Sequence, residues 1–115
     1  MMIVIDSREQ RPFPFTRYAE AQTTTGTLAT GDYSLAGLEH VLAVERKSID
    51  DLIQCLSTSR ERFEKELSRA RALHSFMVVV ECNWHDITTG NYRSRMTATS
   101  ASNSILALQS RWRTP

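Results

Sequence analysis

The residues that could do chemistry lie close together: Gly31-Asp32-Tyr33, followed by Val44-Glu45-Arg46-Lys47. His40 to Lys47 reads as a strand. Successive strand side chains point to opposite faces, so Glu45 and Lys47 share one face and Arg46 takes the other. Tyr33 to Leu35 and Val41 to Val44 read as the arms of a hairpin around Ala36 to Glu39. A turn centred on Leu38 and Glu39 sets Asp32 across from Glu45, with Cβ atoms about 4.5–5.5 Å apart. A slip of one residue would send Asp32 to the other face. In this register two carboxylates and a lysine converge. The carboxylates repel unless positive charge compensates them, partly from Lys47 and more fully from a divalent cation. Mg²⁺ takes hard oxygen ligands and keeps positions open for water and phosphate. Bound there, it acidifies a water and stabilises a phosphoryl oxygen, while the lysine orients that water or neutralises charge. Glu-x-Lys alone equally describes a surface salt bridge, which contributes little. The weight rests on its combination with Gly-Asp on a paired strand.

A longer pattern encloses these residues. Ile3-Val4-Ile5-Asp6-Ser7-Arg8-Glu9 comes first, then Gly31-Asp32-Tyr33-Ser34-Leu35, then Val44-Glu45-Arg46-Lys47-Ser48-Ile49-Asp50-Asp51-Leu52-Ile53. Together they resemble the nuclease domain of the XPF-type structure-specific endonucleases, whose signature is GD…ERKxxxD. Gly31, Asp32, Glu45, Arg46, Lys47 and Asp51 fit it, with Asp50 a neighbouring candidate. The resemblance implies a restriction-endonuclease-like α/β fold, with a central mixed β-sheet flanked by α-helices. It also implies Mg²⁺, with Mn²⁺ as a substitute, and hydrolysis of phosphodiester bonds in branched DNA near a single-strand/double-strand junction. By matching position, Asp32 and Glu45 are the expected metal ligands and Lys47 the water-orienting base or electrophile. Asp6, Arg8 and Arg46 are the expected supporting residues. Members often work as dimers in which one subunit has lost its acids, so a heterodimer or a homodimer is among the implied partners. The alternative is therefore a non-catalytic nuclease-like domain that binds DNA or dimerises with an active partner. The resemblance further implies an intracellular, cytoplasmic protein that meets DNA. Neither the family's usual helix-hairpin-helix motifs nor its last strand and helix is found in the sequence, so the expectation is one nuclease domain over residues 1–115, shortened at its end.

The totals are consistent with one small domain. The chain has 115 residues and a formal net charge of +1. That balance makes no global electrostatic case for nucleic acid, so any DNA contact must come from local patches. There is no apolar run long enough for a membrane span and no signal-peptide pattern. Cys55 and Cys82 have no zinc-ligand spacing and read as two reduced thiols.

The remaining elements must position the site. Met1 to Asp6 reads as a strand covered on both faces. Asp6 at its end is a candidate third acid, or equally a capping or turn residue. Pro12-Phe13-Pro14-Phe15 is extended, with its rings on the core. Ala21 to Leu35 reads as strand, turn, strand. Ser48 to Leu56 is a helix with Ser48 and Asp51 as a capping box and Ile49, Leu52, Ile53 and Leu56 as its apolar stripe. Its N-terminus would favour an anion near Lys47. Thr58 to Leu73 is a second helix, capped by Thr58 and Glu61, with a mixed-charge face that reads as solvated. The resemblance places an arginine early in this helix near the site, matching Arg60 or Arg62, and often a glutamine where this chain has Glu66. Phe76 to Glu81 reads as a strand in the middle of the sheet. Trp84, His85 and Asp86 read as loop. Arg93 and Arg95, in the loop Thr88 to Arg95, are candidate DNA contacts. Thr99 to Trp112 reads as the last helix, with Ala101, Ile105, Leu108 and Trp112 on one stripe.

Overall fold

The computed structural model describes residues 1–115. Strands β1 (Met2–Asp6), β2 (Gln22–Gly26), β3 (Tyr33–Leu35) and β4 (Leu42–Lys47) precede helices α1 (Ile49–Leu56) and α2 (Arg60–Ala70). Strand β5 (Ser75–Val80) and helices α3 (Trp84–Thr88) and α4 (Ala98–Trp112) complete the chain. The five strands form one mixed sheet in the order β2-β1-β3-β4-β5. β1 pairs with β2 in parallel and with β3 antiparallel; β4 pairs with β3 antiparallel and with β5 in parallel. No helix is long and apolar enough to cross a membrane.

The β3–β4 hairpin has the expected centre, since Tyr33 is registered with Val44. The buried Ser34 hydroxyl fastens it by donating to the Leu42 carbonyl at 2.6 Å. Ala21 to Leu35 contains two strands as expected, β2 and β3, with β1 lying between them in the sheet. One other expectation is corrected by the topology: the apolar strand β5 lies at the sheet edge, not in its middle. Its alternation shows why: Phe76 is buried, whereas Met77 and Val79 are exposed. Only one face of β5 meets helices, and a run of valines cannot reveal that from composition. Part of its open edge is taken by the chain end, where the Val78 N–H donates to the Pro115 carbonyl at 3.1 Å.

The core lies between that sheet face and the helices. Ala43 and Phe76 meet Leu52, Ile53 and Leu56 of α1, Phe63, Leu67 and Ala70 of α2, and Ala101 and Leu108 of α4. The apolar spacing of each helix turns one stripe toward this layer. Ser48 accepts from the Asp51 N–H and caps α1. Helix α2 begins at Arg60, later than expected, and its N-cap Ser59 makes no side-chain capping bond. The segment from Trp84 is helical rather than loop, because Asn83 and Asp86 form a reciprocal capping box. On the opposite sheet face, Phe13, Phe15 and Tyr33 stack edge to face, with ring centroids 5.0 and 6.0 Å apart. Phe13 and Phe15 thus cover the sheet.

Ile53 is fully buried at the centre of this layer. Ile53→Ala should lower the unfolding free energy by about 2–5 kcal/mol through the cavity it leaves. Chemical denaturation monitored by circular dichroism measures it, and a loss below about 1 kcal/mol would show a core that collapses around the gap.

Candidate active site

Asp32 sits where β3 begins, and Gly31 puts it there. Gly31 has φ +88°, and a Cβ at this position would stand 2.9 Å from Ala43 Cβ and 3.2 Å from the Val44 carbonyl oxygen. Only a glycine lets the backbone pass β4 so closely in this conformation. Three backbone bonds then hold Asp32. Its N–H donates to the Val44 carbonyl, its own carbonyl accepts from the Asp6 N–H, and its Oδ2 accepts from the Arg46 N–H, each at 2.8 Å.

Alternation along β4 sends Glu45 and Lys47 toward the helices and Arg46 to the other face. Lys47 Nζ lies 3.8 Å from Glu45 Oε1, and both side chains are only 13% exposed. The ammonium also lies 5.3 Å from the centre of the Phe63 ring on α2, within cation–π range. Beside it is the half-buried Cys55 thiol, pushed upward in pKa by its burial. Burial disfavours the Lys47 ammonium, but the Cys55, Glu45 and Glu66 side chains outweigh this and hold its pKa above the ordinary value.

Asp32 and Glu45 open into a cleft of about 250 Å³, lined also by Asp6, Arg8, Ala29, Thr30, Gly31, Glu66 and Arg69. Burial raises the pKa of Asp32, against the hydrogen bond from Arg46 N–H. Burial raises Glu45 further, helped by the adjoining Glu66 carboxyl and by Asp32, to about 9. Three carboxyls therefore share one partly dehydrated space, which favours protons or other cations there. No group of three His, Cys, Asp or Glu side chains is arranged to hold a metal ion. Mg²⁺ makes a smaller demand, since it keeps several waters and needs only one or two carboxylates. The half-buried oxygen pair of Asp32 and Glu45 fits that demand in its donor chemistry.

The other expected residues divide sharply. Asp6, 3% exposed, is fully engaged: it accepts from the Leu28 N–H at 2.9 Å and from Arg8 Nε at 2.8 Å, and further from the Arg8 N–H and Nη2. The Arg8 hydrogen bond, with those from Leu28, holds its carboxyl below the usual range. Asp6 is thus a strut that ties Arg8 and the Leu28 turn to β1. Arg46 lies on the far face, where it donates to both Glu81 carboxylate oxygens at 2.6 and 3.0 Å, to the Tyr33 hydroxyl at 3.2 Å and to the Arg11 carbonyl. It braces the sheet from behind. Glu81 is its partner.

The expected basic contacts are placed elsewhere as well. Arg60 bonds to Glu64 and to the Ser104 hydroxyl of α4. Arg62 lines a groove with Thr58, Ser59, Glu61 and Lys65, away from the acids. Arg93 stays exposed beside Asp50, whose carboxylate accepts its N–H at 3.0 Å; Arg95 is exposed on the same loop. Asp50 thereby anchors that loop. No residue of α1 lines the cleft. Asp86 caps α3 and bonds to Asn91. The cleft also takes Glu66, which stands where the resemblance often has a glutamine, and Arg69, which no motif pointed to. Their spacing on α2, one turn apart on the side next to Leu67 and Ala70, was the available signal.

Across residues 5–115 the chain matches the family model of the ERCC4 domain. It belongs to the ERCC4 domain family. The fold is similar to that of XPF from Aeropyrum pernix, with a TM-score of 0.73 and 24% sequence identity over 99% of this chain. The chain spans about half, 51%, of the length of that protein. No curated protein matches it. An XPF-type nuclease domain with a mixed sheet and flanking helices, as the signature implied, is what the family and the fold both show.

In this ERCC4 domain the backbone at Gly31 and the protons in the cleft are both open to test. Gly31→Ala should lose roughly 1–3 kcal/mol of stability through strain at positive φ. Equilibrium unfolding measures it, and an unchanged midpoint would mean that the strand yields without cost. The raised pKa of Glu45 has a definite sign. The folded state holds this proton more tightly than the unfolded chain, whose value is near 4.5. Its contribution to stability is full below that pH and is lost as the pH rises toward about 9. Melting temperatures in EDTA should therefore fall across this range, and Glu45→Gln should flatten the decline. A wild-type melting temperature that rises over the same range would contradict the buried, protonated cleft.

Proposed function

We propose that this ERCC4 domain is a divalent-cation-dependent endodeoxyribonuclease domain that hydrolyses phosphodiester bonds in branched or junction DNA. The observation that carries the reading is the convergence of half-buried Asp32 and Glu45, with Lys47 3.8 Å behind Glu45. Such an arrangement is costly for a protein that makes no use of it. Burial, and the neighbouring Glu66 and Asp32 carboxyls, oppose the ionisation of Glu45.

Asp32 and Glu45 would hold Mg²⁺, or Mn²⁺ in its place. When bound, the ion supplies Lewis-acid stabilisation of a phosphoryl oxygen and acidifies a water. The chain's own groups account for the rest. Arg46 N–H and the Gly31 turn hold Asp32 in place. Lys47 keeps its charge at neutral pH, because the Cys55, Glu45 and Glu66 side chains around it outweigh its burial. It therefore acts as an electrostatic and orienting group toward water or phosphate, rather than as a neutral base. Arg8, anchored by Asp6 yet largely exposed, offers its guanidinium at the cleft.

Asp32→Asn and Glu45→Gln should each lower Mg²⁺-dependent cleavage of flap or fork DNA by more than about 100-fold, since even groups that merely orient metal ligands cost roughly 10–100-fold when changed. Circular dichroism should show both variants folded. Cleavage at an undiminished rate in either variant would remove that residue from the mechanism.

A further inference from the structure

The strongest unassigned feature of the cleft is Arg69. It stands in the last turn of α2, exposed, and lines the cleft together with Asp32, Glu45 and Glu66. Among the other cations of α2 and α4 some are paired, while Arg62 and Arg71 are unpaired but line separate grooves outside the cleft. Arg60 and Arg111 both pair with Glu64, and Lys65 pairs with Glu61. Arg69 takes part in none of the chain's ion pairs, although it lines a cleft of carboxyls. The other arginine there, Arg8, enters from the end of β1 and keeps its side chain 70% exposed while bonded to Asp6.

A phosphodiester strand that reaches the cleft meets the carboxyls of Asp32, Glu45 and Glu66. It needs cationic groups that are not already spent on those acids. A guanidinium is suited to this, because its planar fork matches phosphate oxygens and holds its charge at any working pH. We infer that Arg69 is a phosphate-contact residue, which together with Arg8 clamps the DNA backbone from two sides of the cleft. The inference rests on the DNA-cleaving reading above and deepens it: the substrate strand runs between the end of β1 and the last turn of α2. Arg71, two residues further on, provides a matched control. It is exposed and lines a separate groove with His74 and Arg113.

The test is binding of a fluorescein-labelled short flap duplex, read by anisotropy with Ca²⁺ as the cation over a series of NaCl concentrations. Arg69→Gln should weaken binding roughly five- to tenfold and reduce the slope of log affinity against log salt by about 1, as expected for one lost phosphate contact. Arg71→Gln should stay within about twofold of the wild type, since it removes the same charge from outside the cleft. Mn²⁺ binding by calorimetry should be no weaker in Arg69→Gln, and its melting temperature should be unchanged. An Arg69→Gln variant with wild-type affinity and slope overturns the assignment. So does an equal loss in Arg71→Gln, which would show only an effect of net charge. A lowered melting temperature or weakened Mn²⁺ binding in Arg69→Gln would make the residue structural instead. Wild-type protein that binds no DNA at any salt would overturn the nuclease reading itself, and the two failures are told apart by which protein shows them.

Discussion

The backbone of Gly31 lies so close to β4 that a side chain there would press on Ala43 and on the Val44 carbonyl. The acidic cleft depends on this approach. It sets the Asp32 N–H against Val44 and the Asp32 carboxylate against the Arg46 N–H. A carboxylate bonded to the main chain of the neighbouring strand cannot swing away from Glu45 without breaking that bond. The repulsion between the two acids is thereby held in place by backbone geometry, which is stiff, rather than by side-chain rotamers, which are soft.

The same pairing explains why Arg46 stands between two site residues without reaching the cleft. Along a strand every second side chain faces the other way. Glu45 and Lys47 go toward α2, where Phe63 and Glu66 receive them. Arg46 goes to the opposite face and gathers Glu81, the Tyr33 hydroxyl and the Arg11 carbonyl. Those partners tie β4 to the end of β5, to β3 and to the extended segment that carries Phe13 and Phe15. Two functions are thus written into one tripeptide, and the peptide backbone keeps them apart.

What could be read from the sequence followed from short-range rules. The hairpin centre, the α1 cap at Ser48 and the side shared by Glu45 and Lys47 depend on turn position, capping and alternation, which are local. The α/β class and the nuclease family followed from motif residues. What was misplaced depends on distant contacts. β5 looks central because its valines favour any strand, yet whether its second face is covered is decided by helices elsewhere in the chain. Arg60 lies early in its helix, as the family pattern asks, but Glu64 and Ser104 hold it toward α4. Asp6 fits the profile of a ligand at a strand end until Leu28 and Arg8 occupy its oxygens. Arg69 was hidden among alternating charges on α2, because a helix face shows no preference in sequence between solvent and a cleft.

The cleft's charge balance gives the acid cluster a direction. Asp6 is neutralised by Arg8, and Lys47 stands against Glu45, which leaves Asp32 and Glu66 with no side-chain cation bonded to them. Desolvation opposes the ionisation of both Asp32 and Glu45. A surface salt bridge would have placed its acids beside exposed cations in water, where the interaction is weak and the pKa little moved. Here the acids are withdrawn from water with less positive charge than they can use, while Lys47 is held charged beside them. On the proposed reading that imbalance suits a small hard cation, because an ion of high charge density offsets the solvation that the carboxylates have lost. It also means that any polyanion must approach from the side where Arg8 and Arg69 stand, since every other charged group lining the cleft repels it.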